Sequence, residues 1–171
     1  MAIGHFYAGI AAVIRSPETG RYLLLRRSND KDFSPGVWEC VTGRVDQGEG
    51  YEDALQREVL EELGIDLRIE YLLGTTHFFR GSPKAENELL GVIYLCSANE
   101  SAPICLSSEH SEYRWISADQ AIGLLSADDP STLWARRVIE RAEAIRKLLP
   151  DELVSFQAQA GFGLGLSRGA L

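Results

Sequence analysis

Residues 6–15 and 21–27 are dense in Val, Ile, Leu, Tyr and Phe, and each run is long enough for a strand. Between them Ser16, Pro17, Thr19 and Gly20 carry turn chemistry, which predicts a hairpin. Residues 28–36 are polar and close on Pro35 and Gly36, a loop, and 37–42 are again strand-like. The period then changes. From about Tyr51 to Leu63 the apolar residues Leu55, Val59, Leu60 and Leu63 form a helical stripe, and Gly64 stands where a helix ends in the left-handed region. Two long strands are predicted over 66–79 and 88–97, joined by a loop containing Gly81, Ser82 and Pro83. Residues 99–108 read as irregular and 113–116 as a short strand, after which Ser117 caps a short helix over 118–125. A second amphipathic helix is predicted over 131–149, with Leu133, Trp134, Val138, Ile139, Ala142, Ile145 and Leu149 on one side and Pro150 as its stop. Several strands, one central helix and one C-terminal helix predict an α/β fold layered around a mixed sheet. The expected organisation is a single domain over 1–150 and a Gly-rich tail over 151–171.

The chemistry concentrates in the first helix. Glu58, Glu61 and Glu62 fall within five residues, and at helical spacing they point the same way. Like charges three and four residues apart repel. Such a cluster therefore points to a hard cation that takes oxygen ligands, Mg²⁺ or Mn²⁺ first. Glu58 and Glu62, one turn apart, are the first choice as ligands.

Composition sharpens this picture. The net charge is −8, and residues 43–64 hold seven acids against two bases, so most of the imbalance sits in the acidic turn. That distribution argues against a nonspecific nucleic-acid binder. A chain of 171 residues with 45% hydrophobic and 25% charged residues suits one soluble domain. Cys40, Cys96 and Cys105 have no metal-type spacing and read as reduced core thiols of a cytoplasmic protein. The apolar run 6–14 is too short to span a bilayer, so no membrane partner is expected.

The pattern G-x5-E-x7-R-E-U-x-E-E-x-G-U, with U aliphatic, is complete: Gly43, Glu49, Arg57, Glu58, Glu61, Glu62 and Gly64 are the fixed letters, and Val59 and Ile65 fill the aliphatic places. Seven fixed letters coincide by chance at about 10⁻⁸ per start point, so the match is not accidental. By this motif the chain resembles the Nudix hydrolases. The resemblance implies an α/β/α sandwich in which the motif forms a loop–helix–loop. It implies a Mg²⁺- or Mn²⁺-dependent pyrophosphohydrolase that cleaves the diphosphate bridge of a small nucleotide or nucleotide-like substrate by water attack at phosphorus. It also implies the Gly43 carbonyl as an extra metal ligand, and a further glutamate outside the motif as ligand or base. Glu109 is the first choice for that glutamate and Glu112 its rival. Glu61 is a ligand or the general base. Arg57 is expected to hold a glutamate by a charge-assisted pair, and Glu49 to brace the loop or ligate peripherally. A non-catalytic nucleotide sensor of the same fold is the alternative, opposed by the intact motif.

Trp38, Val41, Thr42, Gly43, Val45, Gly48 and Glu49 are similar in spacing to a run in bacterial dihydroneopterin triphosphate pyrophosphatases. Several substrate contacts follow as expectations. Arg44 contacts a phosphate or pairs with Asp46. Of Arg26 and Arg27, which alternate along their strand, one faces the cleft. Lys31, Arg80 and Lys84 are further candidates for phosphate. Trp38 stacks a ring or anchors the core, and one of Phe78 and Phe79 lines the pocket. His5, His77 and His110 have no metal spacing and read as structural or solvated. The tail and the apolar C-terminal helix hint at a homodimer.

Overall fold

The computed structural model describes residues 5–31 and 33–164. Its strands are β1 (Tyr7–Arg15), β2 (Tyr22–Arg27), β3 (Trp38–Glu39), β4 (Val41–Arg44), β5 (Arg68–Phe79), β6 (Glu88–Ser97) and β7 (His110–Ile116). Its helices are α1 (Tyr51–Leu63), α2 (Ala118–Leu124), α3 (Pro130–Arg146) and α4 (Asp151–Ala160). The strands form one mixed sheet in the order β3-β2-β1-β6-β5, with β4 also on β1 and β7 also on β2.

β1 is apolar nearly throughout because both its faces are covered. Alternate side chains serve opposite cores, as the strand period requires. Ile10, Ala12 and Ile14 join Leu23, Leu25 and the α1 residues Leu55, Val59 and Leu63. Ala11 and Val13 join Tyr22, Leu24 and the α3 residues Ala135, Val138 and Ile139. The result is the expected α/β/α sandwich, with α1 on one side and α2 and α3 on the other.

The predicted hairpin is reduced to a single register pair, Arg15 with Tyr22. Beyond it the two strands part, because β4 takes the edge of β1 from Gly9 to Ala12. The run predicted as one strand over 37–42 therefore breaks at Cys40: β3 pairs with β2 and β4 with β1. One short strand cannot follow two neighbours that diverge.

α1 has the predicted bounds, and Gly64 caps it at φ 67°. Its buried face is Ala54, Leu55, Val59, Glu62 and Leu63. Leu60, expected in the stripe, is 59% exposed, since it lies about 100° round the helix from Val59. An inward position is filled instead by Glu62, 5% exposed. α2 starts with a full capping box between Ser117 and Gln120. α3 begins one residue earlier than predicted, capped by Asp129 with Pro130 in its first turn, and ends at Arg146.

Residues 151–160 of the expected tail form a helix, and 165–171 lie outside the described residues. After α4, Gly161 turns the chain at φ 74°, and Phe162 meets the Tyr94 ring edge-on at 5.5 Å. The N–H groups of Phe162 and Gly163 both donate to Glu52 Oε1 of α1, at 2.8 and 2.7 Å. The C-terminal segment is thus fastened to the first turn of α1. Loss of the Glu52 carboxylate should cost about 1–3 kcal/mol, about 2–4 °C in Tm for each of them. Glu52→Ala should therefore melt lower than wild type, whereas the same change in a chain ended at Pro150 should cost nothing further. Equal melting of Glu52→Ala and wild type would show that this contact fastens nothing.

Candidate active site

A cleft of about 1350 Å³ opens where β1 and β2 diverge. Its acidic part is lined by Gly43, Glu58, Glu62, Glu39 and Glu109, and Arg27, Arg44 and Arg80 share the same cleft. β4 lays Gly43 directly against Glu58: a Cβ there would stand 2.2 Å from Glu58 Cγ and Cδ. Only glycine fits, because the carboxylate stem packs on the backbone itself.

Arg57 organises the carboxylates around this point. Its Nε and Nη2 donate to the two oxygens of Glu49 at 2.8 and 3.0 Å, a bidentate pair. Its Nη1 donates to Glu58 Oε1 at 3.0 Å and Glu61 Oε2 at 3.3 Å, and Nη2 donates to the Arg44 carbonyl at 2.9 Å. The Arg44 N–H completes the hold on Glu58 Oε1 at 3.2 Å. Three glutamates, not one, are gathered on this guanidinium. Glu49 also accepts the Asp46 N–H at 3.1 Å, which ties the loop to the helix.

Glu62 is outside this network. Its Oε2 is buried without a hydrogen-bond partner and faces His110 Nδ1, likewise unpartnered, at 3.7 Å. On its other side the His110 Nε2 lies 3.2 Å from Glu39 Oε1. Burial, and after it the charges of Glu58, Glu39 and Glu109, push the Glu62 carboxyl up to about 9. Burial also raises Glu58, against the opposing pull of Arg57. His110, read from the sequence as structural or solvated, is buried between two carboxylates, and Glu39 was not singled out. The signal that would have found both is strand extent. β7 starts at His110 rather than Tyr113, and β2 pairs with β3 on one edge and β7 on the other.

The irregular segment before β7 is drawn to the end of α1: the Cys105 N–H donates to the Leu63 carbonyl at 2.8 Å, and that of Ser107 to the Glu62 carbonyl at 2.9 Å. Glu109 thereby reaches the cleft, 3.6 Å from Arg27 Nη1. Glu112 instead pairs with Arg26 and Arg114 outside the cleft lining. Of the two strand arginines, Arg27 faces the cleft and also contacts Glu39 at 3.2 Å.

Several expected residues stand elsewhere. Glu61 is exposed, and neither it nor Arg57 lines the cleft. Trp38 packs on the α3-side core with the Arg114 guanidinium 4.8 Å over its ring, so it anchors the core and offers no face to the cleft. Asp46 reaches Arg57 at 4.0 Å rather than Arg44, whose guanidinium stands over Tyr7. Phe78 and Phe79 both line the cleft, as does Arg80, while Lys31 and Lys84 do not. Cys40 and Cys96 are core thiols as read, but Cys105 is exposed.

Among the described residues no three His, Cys, Asp or Glu side chains converge as a ready metal cage. The donor set nevertheless fits a hard divalent cation. Glu58 and Glu62 are oxygen donors one turn apart at the cleft, the second has an unpartnered oxygen, and the Gly43 backbone is bared beside the first.

A family model described as NUDIX domain matches residues 6–142. Nucleoside triphosphatase NudI of Salmonella agona (strain SL483) is 33% identical over 111 residues, 59% of this chain and 76% of the relative. The protein of the same name from Escherichia coli O139:H28 (strain E24377A / ETEC) is 31% identical over 111 residues, 60% and 77% of the two chains. Among solved structures, the MutT protein from Methanosarcina mazei Go1 superposes with TM-score 0.67 and 27% identity, covering 86% of this chain and 99% of that one. The E. coli dihydroneopterin triphosphate pyrophosphohydrolase superposes with TM-score 0.59 and 26% identity over 80% and 96%.

The raised Glu62 pKa fixes a stability signature for the metal-free protein. Between the unfolded carboxyl value, about 4.3, and about 9, the folded chain keeps a proton that the unfolded chain releases. Stability therefore falls as pH rises through that window. Glu62→Gln removes the penalty, so in chelator at pH 8 it should melt above wild type, with the gap closing by pH 5. A variant that melts lower at pH 8 would show that the buried carboxylate carries no such penalty.

Proposed function

The chain belongs to the NUDIX family and is a hydrolase of phosphorus-containing anhydrides; on that footing we propose a Mg²⁺- or Mn²⁺-dependent pyrophosphohydrolase of nucleoside triphosphates or like triphosphates. The observation that carries the metal dependence is the buried, unpartnered Glu62 oxygen beside Glu58 and Gly43. The names of the relatives support the substrate class: nucleoside triphosphatase for one group, dihydroneopterin triphosphate pyrophosphohydrolase for another. The aromatic lining of the cleft, Phe78, Phe79 and Trp134, suits a flat ring at the other end of the substrate.

Glu58, Glu62 and the Gly43 carbonyl would hold the ion, with Glu61 a further ligand within reach of the same turn. When bound, the ion neutralises phosphate oxygens and lowers the pKa of water. Glu109 is the better placed general base, since it lines the cleft and Glu61 does not. Arg27 aims it. Glu109 takes the proton from the attacking water as the new O–P bond forms. The bridging P–O bond breaks with its electron pair on the leaving phosphate oxygen, and the products are a monophosphate and diphosphate. Arg57 acts through the glutamates it holds and not by touching substrate.

The same reading assigns residues 1–150 to the hydrolase domain and 151–171 to an appended segment, supported by the end of the family match at 142 and the start of α4 at 151. It keeps the homodimer and the cytoplasmic setting. Exposed Leu148, Leu153 and Phe156 supply an apolar face for the first, and two buried free thiols agree with the second. No helix among the described residues is long and apolar enough to cross a membrane.

Turnover of a triphosphate panel should stop in chelator and return with Mg²⁺ or Mn²⁺. Glu62→Gln should lower kcat by about 10² or more and weaken Mn²⁺ binding measured by electron paramagnetic resonance, with the circular dichroism unchanged. Glu109→Gln should cost about 10²–10⁴ in kcat and flatten the acid limb of the pH–rate profile, while Glu61→Gln costs less. A larger loss at Glu61 than at Glu109 would transfer the base to the helix. Absence of turnover across the panel would leave a nucleotide-binding protein.

A further inference from the structure

Four arginines line the cleft: Arg27, Arg44, Arg80 and Arg137. Arg27 is occupied by Glu39 and Glu109. Arg44 and Arg80 are not. Among the described residues neither has a carboxylate within 4.0 Å, in a chain whose net charge is −8. Each guanidinium stands instead over an aromatic ring, Arg44 at 4.7 Å from the Tyr7 centroid and Arg80 at 5.5 Å from that of Phe33. Stacking of this kind orients a guanidinium and leaves its in-plane N–H groups for an anion.

Their backbones are fixed as well. Arg44 follows Gly43 on β4; its N–H donates to Glu58 and its carbonyl accepts from Arg57, so its side chain departs beside the acidic turn. Arg80 opens the loop from β5 to β6, and its N–H closes that loop on the Asn87 carbonyl at 2.8 Å. Desolvation in the cleft, and after it the charges of Arg44 and Arg27, hold Arg80 below the ordinary guanidinium pKa. The arginines therefore feel one another, with the charges of Glu109 and Glu39 a smaller, opposing influence.

We propose that Arg44 and Arg80 form a receiver for the terminal phosphate of a triphosphate, and so select by the length of the polyphosphate rather than by the base. This rests on the pyrophosphohydrolase reading of the site. A diphosphate engages the acidic turn and places nothing between the two guanidiniums. A triphosphate adds one more anionic group, in reach of a planar fork on each side.

The test compares wild type, Arg44→Gln, Arg80→Gln and the double variant on a nucleoside triphosphate and on the matching diphosphate, as substrate or competitive inhibitor. Calorimetry with inorganic tripolyphosphate and pyrophosphate, with Mg²⁺ present, runs beside it. Each single variant should lower kcat/KM for the triphosphate by about tenfold or more through KM. The kcat and the diphosphate constants should stay within about threefold, and tripolyphosphate affinity should fall while pyrophosphate affinity holds. Arg21→Gln, which removes the same charge from a surface pair with Glu100, should change none of these. Equal losses on both nucleotides and both anions, or no loss on the longer ones, would overturn the receiver. If no anhydride is turned over, the enzymatic reading fails, and the two inorganic anions still decide whether the receiver exists.

Discussion

Glu62 is a carboxylate placed where the helix needs an apolar residue, and among the described residues no arginine or lysine pairs with it. It occupies an inward position of α1 beside Leu55, Val59 and Leu63. Desolvation of a charged group there is expensive unless something compensates. Arg57 does not serve, because its donors are committed to Glu49, Glu58, Glu61 and the Arg44 carbonyl. His110 stands nearest but at 3.7 Å, beyond hydrogen-bond distance. The protein thus keeps a costly oxygen open at the edge of a cleft. A proton relieves it in the metal-free chain, and under the proposed function a divalent cation would compete for the same oxygen. On that proposal stability and metal affinity would be set against each other at one residue, the usual trade at a functional site.

The scaffold places a second donor beside that oxygen by an exchange of strand partners. β1 pairs with β2, β4 and β6. Because β4 displaces β2 along the first half of β1, Gly43 lands against α1 while Glu39 and Arg27 stay with β2 and β7. Gly43 tolerates no side chain for the same reason: two layers of the molecule meet there backbone to carboxylate.

How much of this could be read from the sequence follows the range of the interactions involved. α1 was legible to the residue because its C-cap, its stripe and its acidic turn are local; so was the Ser117 cap, though not its reciprocal bond with Gln120. The β1 and β2 runs were legible as buried strands, but not the two cores they separate, since neither run alternates apolar with polar residues. The partition of 37–42 between two neighbours was not, since strand pairing is non-local. The inward turn of His110 depends on a bulged register against β2 near Arg27. α4 was hidden by Pro150 on one side and glycines on the other, and Val154, Gln157 and Ala158 make only a half-buried face. Leu60 and Trp38 mark the limit of hydrophobicity as a guide: the first is displaced from the core by a glutamate, and the second is taken into it from the cleft.

The cleft keeps both signs of charge apart over a short distance, which unrestrained side chains would not do. Flexible arginines and glutamates facing each other in a partly enclosed space would collapse into ion pairs, as Arg27 does with Glu39 and Glu109. On the acidic side Arg57 and the Arg44 N–H pin Glu58, while packing pins Glu62. On the basic side Arg44 and Arg80 stand over the rings of Tyr7 and Phe33 rather than in ion pairs with carboxylates of the described residues. A polyphosphate with its cation has the complementary pattern, positive at the cleaved bridge and negative at its end. Preorganised charges of this kind act without reorganising at the moment of reaction. The same separation would let an acidic protein receive an anion: residues 43–64, with seven acids against two bases, carry most of the −8 net charge around the turn proposed to take the cation, and the proposed approach for the anion is along the cleft arginines.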